Sequence, residues 1–351
     1  MQTENCKFGG FSFRRTLNIG AAPMGETMKT SVHLKKLAQT ALSLLLVVTG
    51  ILSIAVDAYA YNKAYRNMYN ILTDKGKSAL VLTGDGPTDM VNIALKLKGK
   101  KGADLGHAAG ASWCGVFIQH CAYLAGQASY DGKVGNFGSY GTGSGNIAKQ
   151  IKKKGGELIY AKKGACWQSK NDKVNSGNAK GNTSDAKPGD IVVVNWNGNS
   201  TGGHVELVTG KKDGTIYTIG GNSGKGNGAQ TTVKTHSFGK NDKKIVAIVR
   251  PKYIAPKAGK ITIQYDTNGG NLGSFTENGK LELKITSKVP SRSGYTFMGW
   301  SASPNSGETI YKAGQASSFP GLPYEVVFEG DEPIVIQTVK LYAVWGKSAL
   351  A

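Results

Sequence analysis

The sequence predicts an α+β fold, with helices first and an antiparallel sheet after them, followed by a second, β-rich module. Three observations carry this. Between Tyr61 and Gly126 apolar residues recur at spacings of three and four, the period of a helix face. From Ile191 onward, short β-branched runs are bounded by turn residues, the pattern of strands. Between them and a further β-patterned tail, Pro251 to Lys260 holds two prolines and three lysines and reads as a linker.

Taken in order, residues 1–27 are read as an upstream segment, with Met24 or Met28 as alternative starts. Residues 28–60 have the parts of a secretory leader. MKTSVHLKK is the basic start, LSLLLVV centres an uncharged run from Leu37 to Val56, and Ala58-Tyr59-Ala60 is a small-x-small cleavage pattern. An uncleaved anchor is the alternative, although Thr40, Ser43, Thr49, Gly50 and Ser53 dilute the run.

Residues 61–83 form an N-terminal helical segment, with Tyr61, Tyr65, Met68, Tyr69 and Leu72 on one face. A second helix carries Met90, Val91, Ile93, Ala94 and Leu97, with Thr88 as its expected N-cap and Gly99 as its stop. The third, Ala111 to Gly126, has Ser112 as its expected N-cap. Residues 127–186 read as loops around a helix near 146–154, and Lys152-Lys153-Lys154 as a solvated helix end. Strands are expected at Ile191–Trp196, Gly203–Gly210, Thr215–Asn222 and Lys244–Arg250. In the tail they are expected at Ile261–Tyr265, Leu281–Ile285, Tyr295–Trp300 and Val339–Trp345.

The formal charge of +20 is unevenly spread. Residues 61–260 carry 30 Lys and Arg against 12 Asp and Glu, a net +18, whereas residues 261–351 are close to neutral. A basic domain seeks an anionic partner. Behind an export leader that partner is an envelope polymer rather than nucleic acid.

After the leader the chain keeps three cysteines, Cys114, Cys121 and Cys166. This odd number is no disulfide framework. A Cys121–Cys166 bridge is compatible with the sequence, which does not establish it. No spacing suggests a metal site, and no cofactor is expected. Cys114 lies in the first turn of the third helix, where unpaired N–H groups and the helix dipole favour a thiolate. Cys121 lies two turns on, among apolar neighbours, and reads as core. Of the histidines, His33 falls in the leader, His107 and His236 in expected loops, and His120 on a helix face read as solvated. His204 opens a strand after two glycines and is the base of choice for Cys114. Its imidazole needs a third group to fix the tautomer. Glu206 shares its strand face but stands about 7 Å along it. Asn222 ends the next strand and is favoured.

Cys, His and Asn on helix, strand and strand form a papain-like constellation. The stretches SWCGVFIQHCAYLAG, KPGDIVVVNW, GGHVELVTG and TIGGN, in this order, resemble the CHAP family of cysteine amidohydrolases and peptidases, over about residues 84–252. The resemblance implies a papain-like domain that cleaves amide bonds in peptidoglycan, as an N-acetylmuramoyl-L-alanine amidase or a peptide-bridge endopeptidase. Carried over by position, Cys114 is the nucleophile, His204 the base and Asn222 the orienting residue. Many members have Glu two residues before that Asn, where Gly220 stands here. An NlpC-type endopeptidase is the alternative enzyme, although Ser112-Trp113-Cys114-Gly115 departs from its Asp-Cys-Ser-Gly. A non-catalytic wall-binding or adhesion protein is the alternative from another class. Residues 253–260 would be the linker. In 261–346, ITIQYDTNGGNLG, GYTFMGW and LYAVW resemble a single Listeria–Bacteroides repeat of the internalin B type, which implies a β-grasp-like module of unknown ligand.

The expectation is a secreted, wall-associated protein whose partners are peptidoglycan and anionic wall polymers. Because its positive charge is concentrated in residues 61–260, binding of the full chain to purified walls should fall steeply between low and high salt, as screening shortens the reach of those charges. Salt-insensitive retention would contradict this.

Overall fold

The computed structural model describes residues 64–128, 137, 144–162, 182–198, 203–226, 228–256, 259–280, 283–304, 311–316, 319, 322–330 and 332–348. The leader with its cleavage motif, Cys6, His33 and Cys166 lie outside the described residues. The described part is α+β. A helix over 64–72 (α1) leads to β1 (Leu80–Leu82), α2 (Gly86–Lys96), α3 (Cys114–Leu124) and α4 (Ser144–Lys153). Two six-stranded sheets follow.

The first sheet contains β2 (Glu157–Ala161), β3 (Ile191–Val194), β4 (His204–Lys212), β5 (Thr215–Ser223), β6 (Thr232–Phe238) and β7 (Ile245–Arg250). Its order is β2-β7-β3-β4-β5-β6, and every pair is antiparallel. All four residues of β3 are buried, because alternate side chains enter different apolar clusters. Ile191 and Val193 face the helices, while Val192 and Val194 join Val208, Ile216, Phe238 and Ile248 on the other side. A bidentate pair fixes the end of β7 to the start of β3: Arg250 Nε and Nη2 donate to Asp190 Oδ1 and Oδ2 at 2.8 and 2.9 Å.

Helix α2 starts one turn boundary earlier than Thr88 would place it. Asp85 is the N-cap and accepts from Thr88 N at 3.2 Å, with Pro87 in the first turn. Helix α3 is buried along almost its whole surface. One side packs on β4 and β5, another on α2. On a further side Tyr65 of α1 meets Tyr123 edge-on at 5.1 Å. His120 is therefore fully buried rather than solvated. The near-continuous apolar run CGVFIQHCAYL fits a helix enclosed by neighbours rather than one lying on a surface.

Strands β2 and β6 run through sequence read as loops, because ELIYA is short and TVKTHSF is largely polar. The second sheet contains β8 (Lys260–Asp266), β9 (Phe275–Gly279), β10 (Tyr295–Ser301), β11 (Tyr324–Glu329) and the long β12 (Glu332–Lys347), with β1. The strand expected at Leu281–Ile285 is not formed in its described residues. Lys284 makes a single bridge to Ala316, and β9 takes the place beside β8.

The second sheet is joined to the helical region at several points. β1 pairs with the edge of β11, Leu80 opposite Val326 and Leu82 opposite Tyr324. Phe328 is stacked on Tyr65 at 5.6 Å, meets Tyr69 edge-on at 4.6 Å and lies 4.2 Å beneath the Arg66 guanidinium. Gln127 exchanges two bonds with the backbone of Ile254, at 2.8 and 2.9 Å. No helix of the described residues is long and apolar enough to cross a membrane. Truncating the half-buried Phe328 to Ala should lower the stability of the whole chain by roughly 2 kcal/mol, less than for a fully enclosed Phe. Urea unfolding of the wild type and the variant measures this, and unchanged stability would mean that the aromatic contact contributes nothing.

Candidate active site

Cys114 is the first residue of α3. Trp113, not Ser112, occupies the N-cap position, with no side-chain bond to the helix start. The first-turn N–H groups have no intrahelical acceptor by geometry, so here they are left for the sulfur or for a ligand. The indole of Trp113 explains the arrangement. It is buried, and its Nε1 donates to Gly228 O at 2.7 Å and Thr231 Oγ1 at 3.0 Å, anchoring the turn before Cys114.

The start of β4 brings His204 against the thiol. Burial alone would raise the pKa of Cys114. The hydrogen bond and charge of His204, with the backbone N–H groups of Val205 and Gly115, outweigh that and lower it. For His204, burial favours the neutral ring. The bonds and charges of Cys114 and Glu206 override it and raise the pKa to about 9. Both shifts run toward a thiolate beside an imidazolium. Cys121, in contrast, is a free thiol wholly enclosed in the core, and burial pushes it far up.

The group on the far side of His204 is Glu206, whose Oε1 stands 3.2 Å from His204 Nε2. Ser223 Oγ is 3.3 Å from the same nitrogen. With Nε2 so occupied, Nδ1 is the nitrogen left to face the sulfur. The two side chains do share a face, as strand alternation requires, and their length closes the spacing along the strand that argued against a direct bond.

The expected partnership of Asn222 with His204 is not what the structure holds. Asn222 has φ +60 and directs its amide oxygen to Thr231 Oγ1, 2.7 Å away. Thr231 is the hydroxyl that meets Trp113. Asn222 thus sits behind the turn that carries Cys114, not behind His204.

The two glycines before Asn222 have steric reasons. A Cβ on Gly220 would stand 2.7 Å from Glu206 Cγ and 3.2 Å from His204 Nε2. A Cβ on Gly221 would lie 2.2 Å from the ring of Trp113. Gly220 therefore leaves room for the Glu206 side chain, at the position where the resembled family carries its own Glu.

Glu206 is fully buried and has two further partners. His236 Nδ1 lies 2.6 Å from Oε1, and the Thr218 hydroxyl donates to Oε2. Burial would raise this carboxyl, but the bonds from His204 and His236, the charge of His204 and the Thr218 hydroxyl bring it down to about 2. Trp196 borders the cluster, its ring 5.7 Å from His204 and 5.2 Å from His236, and it is 46% exposed. His236 lies on β6, a strand rather than the expected loop, in a stretch, TVKTHSF, that is largely polar and carries little hydrophobic signal. Its alternation with Lys234 and Phe238 was the available signal. His107 and His120 lie elsewhere. His107 stacks on Trp113 at 4.6 Å and is lowered to about 4 by burial, and His120 is held well below its usual value by burial and by His107. Among the described residues no group of His, Cys, Asp and Glu is arranged to hold a metal ion.

No protein-family model matches the chain, and no curated protein does. Among solved structures, the wild-type endolysin LysIME-EF1 is similar at a TM-score of 0.29 and 16% identity, over 55% of this chain and 73% of that one. Ly7917 is similar at 0.28 and 14%, over 74% and 99%. Ly7917 with the hydrolyzing product of MDP is similar at 0.25 and 12%, over 82% and 99%. At these scores the likeness carries no argument.

The depressed carboxyl of Glu206 makes a prediction about stability. Its folded pKa, about 2, lies below the ordinary 4.5. It therefore contributes stability that is complete above the ordinary value and is lost as pH falls through the folded value. Thermal melts across that interval should show a steeper acid loss for the wild type than for Glu206→Gln. Parallel acid limbs would contradict the assignment.

Proposed function

We propose that this protein is a cysteine-dependent hydrolase that cleaves an amide bond in peptidoglycan, with Cys114 as nucleophile, His204 as acid and base, and Glu206 as the residue that orients the imidazole. The observation that carries the chemistry is the bonded series Cys114, His204 and Glu206 at an uncapped helix N-terminus. The substrate class rests on the resemblance of the four sequence stretches to CHAP enzymes and on the excess positive charge of residues 61–260, which suits an anionic wall.

In this reading the Cys114 thiolate attacks the carbonyl carbon of the scissile amide. The carbonyl π pair moves to oxygen, and first-turn N–H groups of α3 receive the oxyanion. As the tetrahedral intermediate collapses, the C–N bond breaks and the His204 imidazolium gives its proton to the leaving amine. A thioester remains. Neutral His204 then takes a proton from water, the hydroxide oxygen adds to the thioester carbon, and the C–S bond breaks to return the thiolate with the carboxylic acid. Glu206 transfers no proton. It holds Nε2–H so that Nδ1 faces the sulfur, and it stabilises the imidazolium.

Release of muropeptides from purified walls tests the assignment. Cys114→Ser and His204→Ala should abolish release. Glu206→Gln should lower it by on the order of ten- to a hundredfold, as the loss of an orienting partner does. Asn222→Ala should act through stability and leave turnover of the folded protein within about threefold, because its partner Thr231 is only one of two acceptors for Trp113. A Cys114→Ser protein that still cleaves would overturn the mechanism. New N-terminal alanine amines among the products identify an amidase, and new bridge termini an endopeptidase.

A further inference from the structure

Resting on that reading, we propose that His236 is a positioning residue of the active site, holding Glu206 in the rotamer that meets His204. The geometry is specific. Glu206 Oε1 is shared by two imidazoles, with His236 Nδ1 at 2.6 Å and His204 Nε2 at 3.2 Å. The closer partner is the one that does not touch Cys114. Oε2 is held from β5 by the Thr218 hydroxyl, so β5 and β6 both hold the carboxylate that β4 carries.

An unbonded carboxylate at this depth would be costly, and its lone pairs need donors. His204 alone supplies one. His236 supplies a second from β6, the edge strand of the sheet, where Thr218 and His236 are opposite each other in register. Among the described residues, two further groups border His236. Trp196 meets it edge-on at 5.2 Å, and on its own strand Lys234 lies two residues back with an exposed side chain. The His236 side chain is 28% exposed, whereas Glu206 is wholly enclosed. It is therefore the point at which solvent reaches the network that orients the base.

With Gly220 removing the side chain that would compete for the same space, the position of Glu206 depends on these donors. Without the His236 donor, the carboxylate keeps only the Thr218 hydroxyl and the longer contact to His204, and its rotamer is held less firmly. His204 then loses the partner at Nε2 that favours its charged form, and the thiolate at Cys114 loses its counter-ion.

Alkylation by iodoacetamide, read at Cys114 by peptide mass spectrometry on the full chain, tests this without any wall substrate. In His236→Phe, which keeps a ring beneath Trp196 but no donor, labelling on the acid side of neutrality should fall roughly tenfold and the profile should move to higher pH. His236→Ala should do the same and serves if the Phe variant does not fold. His236→Asn places an amide N–H where Nδ1 stands and should return the rate to within about threefold of wild type. Folded Phe or Ala variants with the wild-type profile would overturn the proposal, as would an Asn variant as slow as they are. A wild-type Cys114 that titrates like an ordinary thiol would overturn the catalytic pair as well. A depressed wild-type thiol whose profile ignores His236 would overturn this proposal alone.

Discussion

The arrangement depends on one buried carboxylate. Glu206 has no exposed surface, yet it remains ionised because two imidazoles and a hydroxyl surround it. Charge burial of this kind is tolerated only when partners are placed beforehand. Three strands do the placing. β4 carries Glu206 and His204, β5 carries Thr218 and the gap at Gly220, and β6 carries His236. Shifting β5 or β6 out of register would take one donor from the carboxylate, so the sheet's pairing and the orientation of His204 are one constraint.

The Cys114 side obeys a complementary rule. Helix α3 is enclosed on nearly every side, which fixes its first residue in space. Its start is left without a capping side chain, and the thiol occupies the region where the helix favours negative charge. The anchoring normally given by a cap is supplied by Trp113, tied through Thr231 to Asn222. Gly221 permits β5 to pass beneath the indole at a distance no side chain would allow. The sheet thus touches the candidate site twice, once behind His204 and once behind Cys114.

Much of this was legible in the residues. Helical spacing located α2 and α3, and β-branched runs located β3, β4, β5 and β7. Local context singles out Cys114 and His204 among the thiols and imidazoles, and the fold brings the two together. The group beside His204 is Glu206 rather than Asn222, and backbone spacing along a strand does not show this because it understates side-chain reach. A long Glu side chain spans an interval that a short Asn cannot. His236 was missed because a polar edge strand carries little hydrophobic alternation. His120 was misplaced because helix periodicity identifies one apolar face, whereas α1 covers another, a tertiary contact outside the reach of local pattern. The same holds for β1 and Phe328, whose partners lie more than two hundred residues apart in the chain.

The central claim is that Glu206 keeps His204 charged beside a thiolate. Ring ¹⁵N NMR of His204 tests it most directly, in the wild type and in Glu206→Gln. The account predicts an imidazolium throughout neutral pH in the wild type, deprotonating only toward about 9, and a titration displaced downward in the variant. A neutral His204 ring at neutral pH in the wild type, or an identical titration in both proteins, would contradict it.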